Sequence, residues 1–138
     1  MKISARDEYA CAAVLDLALH YDNESPVRVQ DIAQRQSIPM KFLFQIMQIL
    51  KRVDIVRSRR GTEGGFILTR PPSQITVGDV VLAMGGPFIE PSLENENSHF
   101  RSIWADADRA VAGVLNGITF EELVRRARSS KRQLMYHI

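Results

Sequence analysis

Apolar residues recur at helical spacing near the start of the chain. Tyr9, Ala10, Ala13, Val14, Leu17 and Ala18 fall on one side of a helix that is predicted to be half buried. Ser4, with Asp7 three residues on, resembles a capping box with Asp in place of the usual Glu or Gln, so this helix is predicted to open there and to run to about His20. The polar run Asp22-Asn23-Glu24-Ser25-Pro26 reads as a turn. A short second helix, from about Val29 to Gln36, turns Ile32 and Ala33 inward, although Arg28 stands where a Ser or Thr cap is preferred. Ser37-Ile38-Pro39 then breaks the chain, and Pro39 suits the first turn of a third helix, where its missing N–H leaves no bond unmade. That helix is predicted over Pro39 to Val53, with Phe42, Leu43, Ile46, Met47, Leu50 and Val53 as its core stripe. The opposite stripe, Lys41, Gln45, Gln48 and Arg52, is polar throughout, and Phe44 lies beside it.

The period then shortens. Ile55-Val56-Arg57-Ser58-Arg59 and Phe66-Ile67-Leu68-Thr69 read as the strands of a hairpin, joined by Arg60-Gly61-Thr62-Glu63-Gly64-Gly65. Glycines in this connection suit a backbone that reaches positive φ or approaches another surface closely. Pro71-Pro72 ends the hairpin; Thr76 caps a helix from about Val77 to Met84, which Gly85-Gly86 closes. Pro87 to Ser98 reads as a loop rich in Pro, Asn and Glu. A longer helix follows, its apolar positions Phe100, Ile103, Trp104, Ala107, Val111, Val114, Leu115 and Ile118 recurring at helical spacing until Gly117 can end it. Thr119 with Glu122 forms a second capping box for a last helix carrying Phe120, Leu123 and Val124, and the basic tail after Arg125 is expected to fray. The chain is thus expected to be mainly α with a small β-hairpin wing, in the element order of a winged helix-turn-helix.

Composition fits one compact domain: 138 residues, 45% apolar and 25% charged. No apolar run approaches the ~18 residues of a membrane span. The opening Met-Lys-Ile-Ser-Ala-Arg-Asp-Glu turns acidic where a secretory signal needs an apolar core, so a cytoplasmic location is expected. The single cysteine, Cys11, excludes a disulfide framework and a thiolate-rich metal site within one chain. A net charge of +2 says little, but its distribution says more. Lys51, Arg52, Arg57, Arg59 and Arg60 cluster against Asp54 alone, and Arg125, Arg126, Arg128, Lys131 and Arg132 form a second run without acids. Acids collect at Asp22 and Glu24 and across Glu90 to Glu96. Such a separated positive surface is the footprint of a phosphate-backbone binder, although solvated helix faces look the same.

In helix-turn-helix proteins the second helix of the motif enters the major groove, which here is the Pro39 to Val53 helix. Gln45 and Gln48 can pair with adenine edges, Lys41 and Arg52 can reach guanine or phosphate, and Phe44 can meet a thymine methyl. The alternative for this stripe is an ordinary solvated face. Arg57, Ser58, Arg59, Arg60 and Thr62 lie on and beside a tip where Gly61 permits close backbone approach, and a cationic wing suits a narrow minor groove. For Arg60 the alternative is a surface arginine on a turn.

Three segments carry a resemblance: Asp31-Ile-Ala-Gln-Arg-Gln-Ser-Ile-Pro-Met-Lys-Phe-Leu, Val56-Arg-Ser-Arg-Arg-Gly-Thr-Glu-Gly-Gly-Phe-Ile-Leu, and Ile75-Thr-Val-Gly-Asp-Val-Val. With Lys2-Ile-Ser, Glu8-Tyr9-Ala10 and Asn116-Gly-Ile-Thr, they resemble the regulator family containing IscR, NsrR and CymR over nearly the whole chain, most distinctively in the Arg-Gly-x-x-Gly-Gly wing. The resemblance implies a homodimeric winged-helix regulator, a repressor in sense, whose long helix packs against its partner's copy through Phe100, Ile103, Trp104, Ala107, Val111, Val114 and Leu115. On that basis residues 1–86 are expected to form the DNA-binding domain, 87–98 a loop matching a cluster-binding region, 99–130 the dimerisation helices and 131–138 a basic tail. Cluster-binding relatives carry three cysteines in that loop, often followed by a histidine; here it has none, Arg101 aligns with the histidine, and His99 is out of register. No cofactor and no metal are therefore expected. Glu8 matches a position some relatives use as a ligand, and otherwise reads as a surface acid. Several relatives place a glutamate where this chain has Phe44, so its operator is expected to differ from theirs.

Cys11 reads as a small buried residue, with a redox switch as the alternative. Trp104 suits the core or the dimer interface better than ligand stacking. Met40, Met47 and Met84 read as packing residues. No nucleophile–base pair, metal set or phosphate loop supports catalysis, since no Gly-Lys-Ser/Thr follows Gly61 to Gly65. The rival function is a protein-interaction module on a winged-helix scaffold, against which the arginines of the hairpin argue. Expected partners are double-stranded DNA and a second copy of the chain, with no membrane; an effector or further protein partner is not legible.

Overall fold

The structure, a computed structural model, describes residues 3–23, 25–61, 64–91 and 99–136. Thr62 at the wing tip and residues 92–98 of the expected loop therefore lie outside the described residues. Helix α1 (Ala5–Leu19) begins where Ser4 Oγ accepts a bond from the Asp7 N–H at 3.1 Å. Its inward side, Ala10, Ala13, Val14, Leu17 and Ala18, is buried, and its small residues let α2 (Val29–Gln36), α3 (Met40–Arg52), α4 (Val77–Ala83) and α6 (Phe120–Tyr136) all pack on it. The core sits around this helix. No described helix is long and apolar enough to cross a membrane.

Strands β1 (Val56–Arg59) and β2 (Gly65–Leu68) form the antiparallel hairpin, paired Val56 with Leu68, Arg57 with Ile67, Ser58 with Phe66 and Arg59 with Gly65. Val27 adds one further pair at the outer edge: its N–H donates to Phe66 O at 2.9 Å, and the Phe66 N–H donates to Val27 O at 2.8 Å. Gly65 permits this approach, because a Cβ there would stand 2.3 Å from Val27 O.

The capping box at Thr76 is complete: the Asp79 N–H donates to Thr76 Oγ1 and the Thr76 N–H donates to the Asp79 carboxylate, both at 3.0 Å. Gly85, at φ +110°, ends this segment in a backbone conformation that L side chains rarely adopt. Helix α5 (Arg101–Asn116) packs on α4 and buries none of its residues. Gly78 allows the close approach of α4 to the end of α5, where Asn116 fills the space a Cβ would need.

Two expectations are corrected. Phe42 and Val53, placed in the core stripe of α3, are 43% and 45% exposed. The buried face is the narrower set Leu43, Ile46, Met47 and Leu50; Phe42 falls off its edge onto Tyr9, and Val53 is the residue at which the helix has already ended. The tail does not fray after Arg125: α6 continues to Tyr136. Pairs of Glu121 with Arg125 and Glu122 with Arg126 support its first turns, and Phe120 and Val124 belong to the core around α1. The helix grouped with the dimerisation elements thus returns to the first core.

Candidate nucleic-acid interface

The turn between α2 and α3 is set by Ser37, which adopts a left-handed conformation (φ 55°, ψ 46°), while the Ile38 N–H donates to Ala33 O at 3.0 Å. Ile38 is buried, and Pro39 sits one residue earlier than expected, at the cap of α3. A second device fixes α2 against α1. Asp16, 1% exposed, accepts from Arg35 Nε at 2.9 Å, Arg35 Nη2 at 2.8 Å and Gln36 Nε2 at 3.1 Å. The bond to Asp16 raises the pKa of the Arg35 guanidinium above its ordinary value. Sequence reasoning missed these three residues. The available signal was a lone carboxylate beside Leu17 on an apolar helix.

With the turn and the opposite face of α3 fixed, its outer stripe is determined. Lys41, Gln45, Gln48 and Arg52 are exposed, and at about 100° per residue they span an arc of roughly 60°. Phe44, 51% exposed, lies just off that arc. Lys41 Nζ stands 5.1 Å from the Phe42 ring centroid, so the exposed Phe42 orients a cation of this stripe.

In the wing, Val56 is buried while Arg57 and Arg59, alternating away from it, are exposed, as is Arg60. Gly61 takes φ +121°, and the Gly64 N–H donates back to its carbonyl at 3.0 Å. Arg70 braces the hairpin base: Nε donates to Gln74 O at 3.1 Å and Nη2 lies 3.7 Å from the Asp79 carboxylate.

Outside the α3 and wing segments, Ile103, Trp104 and Val114 of α5 are exposed with Phe100, which precedes the helix; Ala107, Val111 and Leu115 are half-buried. Phe100 and Trp104 stack with ring centroids 6.2 Å apart.

A sequence profile of the Rrf2 family, described as an iron-dependent transcriptional regulator, matches residues 3–126. The chain belongs to the Rrf2 family. It is 34% identical over 135 residues to protein rrf2 of Nitratidesulfovibrio vulgaris, covering 92% of this chain and 89% of that one. Identity to the HTH-type transcriptional regulator CymR of Bacillus subtilis is 32% over 140 residues, covering 100% of both. The solved structure of T. potens IscR matches with a TM-score of 0.80 at 33% identity, over 94% of this chain and 90% of that one. This Rrf2-family chain is accordingly a DNA-binding transcriptional regulator on a winged-helix scaffold.

Its residues do not fit a thiolate-held iron site. Cys11, the chain's one cysteine, packs against the core from α1, and burial, with the nearby carboxylates of Asp7 and Glu8, pushes its thiol up to about 11. Among the described residues no three His, Cys, Asp or Glu side chains are grouped to hold a metal ion. Glu8 is exposed in the first turn of α1.

Proposed function

We propose that this regulator acts in the cytoplasm as a repressor, reading a palindromic operator as a homodimer without an iron–sulfur cluster. Helix α3 lies in the major groove, where Gln45 and Gln48 read adenine edges, Phe44 meets a thymine methyl, and Lys41 and Arg52 reach guanine or phosphate. The wing enters the adjacent minor groove through Arg57, Arg59, Arg60, Gly61 and Thr62. Residues 1–86 read DNA, and the Phe100 to Leu115 face joins the two copies. The observation that carries this reading is the division of α3: a buried apolar face behind a wholly exposed polar one, beside a wing whose arginines alternate outward. Occupation of promoter DNA by two such heads blocks polymerase access, the sense the family resemblance implies.

Binding to an operator recovered by genomic footprinting is expected to weaken steeply with salt. Each phosphate contact contributes about 0.9 to the slope of log affinity against log salt. Arg60→Ala should lower affinity several-fold and, if its contact is to phosphate, flatten the slope by about 1. A gel-shift titration with a flat salt response would instead assign the surface to a protein partner.

A further inference from the structure

A cleft of about 490 Å³ opens between the C-terminal end of α1 and the wing, a volume usual for small-molecule sites. Its floor is apolar, with Leu17, Val27 and Leu68 all buried, and its rim carries Tyr21, Asp22 and Arg59. Among the described residues the sheet edge beside it carries no strand beyond the single Val27–Phe66 bridge. Phe66 gives both backbone groups to Val27, so by antiparallel alternation the N–H and C=O of Leu68 point to the same side, away from β1. Neither group has a hydrogen-bond partner among the described residues. The Thr69 N–H turns back to Ile55 O at 3.1 Å, which leaves an edge too short for an added strand.

We propose that this cleft binds a small zwitterion with an apolar tail, of the α-amino acid class, and that its carboxylate competes with DNA for Arg59. The ligand carboxylate accepts from the Leu68 N–H and pairs with Arg59; its ammonium donates to the Leu68 carbonyl and pairs with Asp22; its tail lies on Leu17 and Val27. A hydrocarbon would leave the edge groups unpaired, and a simple anion could pair with Arg59 but would bring no donor to the Leu68 carbonyl or to Asp22. The regulatory half of the proposal rests on the reading of Arg59 as a DNA contact.

The test titrates each proteinogenic amino acid in turn into the isotope-labelled full chain without DNA. At least one with an apolar side chain should shift the Tyr21, Asp22 and Leu68 amide signals saturably, while its uncharged N-acetyl amide should not. Asp22→Asn should weaken that binding roughly tenfold and leave operator affinity of the unliganded protein unchanged. The same amino acid should weaken operator binding roughly tenfold, and operator DNA should weaken amino-acid binding by the same factor. If none of the amino acids moves the Leu68 signal, the site is wrong, whatever Arg59 does on DNA. Binding that leaves operator affinity unaltered overturns the competition. An Arg59→Ala variant with full operator affinity refutes the DNA reading of Arg59, and the competition with it, while the amino-acid titration still decides the cleft.

Discussion

Asp16 is an acidic side chain set into the apolar side of α1, where an unmatched charge would cost several kcal/mol. Its two oxygens are matched by the fork of Arg35 and by Gln36, side chains from the last turn of α2. This contact fixes the helix that leads into the recognition turn, and it explains a carboxylate that periodicity left unassigned. Periodicity could not reveal the contact, because the partners of Asp16 lie 19 and 20 residues on and meet it only once α2 folds back. Arg35→Ala leaves the carboxylate buried with the Gln36 bond and with His20 Nδ1 3.8 Å away, and should cost about 3 kcal/mol in urea unfolding; a loss below 1 kcal/mol would show the pair to be incidental. Cys11 carries the second prediction at this scale. With its thiol pushed up from an ordinary 9.0 to about 11, about a thousandth is thiolate at pH 8, against roughly a tenth of an ordinary cysteine. Alkylation at pH 8 should therefore be about a hundredfold slower than for free cysteine, and labelling at the free rate would restore the redox alternative. Because the folded pKa lies above the ordinary value, the thiol's contribution to stability is complete below about 9 and is lost as pH rises towards 11.

At the scale of elements, α3 and the hairpin were legible for different reasons. Leu43, Ile46, Met47 and Leu50 repeat at the spacing of one helix face, so the outward side of α3 followed directly. Phe42 and Val53 were misplaced because hydrophobicity reports a preference for burial, whereas the width of the buried stripe depends on how closely α1 approaches. The hairpin was marked by its glycines, yet the role of Gly65 became visible only when Val27 arrived at its backbone from a distant part of the sequence. Gly65→Ala places a Cβ against Val27 O, and such overpacking costs about 1–3 kcal/mol. The expected outcome is faster amide exchange at Val27 and Phe66, with a weakened grip of the wing on DNA. Unchanged protection at both amides would mean that this pairing does not hold the wing. The length of α6 escaped notice because Arg125 to Arg132 reads as a repulsive run; two of its arginines are neutralised by glutamates one turn earlier.

At the scale of the whole molecule, α5 does not bury a single residue, yet it carries Ile103, Trp104 and Val114 outward at 50%, 43% and 64% exposure, with Phe100 beside them. Its other side faces α4, where Asp108 accepts from the Ile89 N–H at 2.8 Å and Ala112 and Asn116 line a shallow cleft with Gly78 and Leu82. Among the described residues the helix is therefore held in place by one side, while Ile103, Trp104 and Val114 stay exposed on the other. In the proposed homodimer, a twofold axis through that face makes the patch its own complement, since the same stripe on a second copy supplies further apolar contacts. The same axis carries two recognition helices towards half-sites about 34 Å apart, one turn of duplex. Trp104→Asp puts a charge into this face without touching the α4 side, so the chain should stay folded and sediment as a monomer. Joining two reading heads multiplies affinity by roughly 10²–10⁴ through effective concentration. The variant should lose about that factor on a palindrome while binding an isolated half-site as the native chain does. A variant that remains dimeric would move the interface off α5, and one that is monomeric yet binds the palindrome at full strength would remove twofold reading from the mechanism.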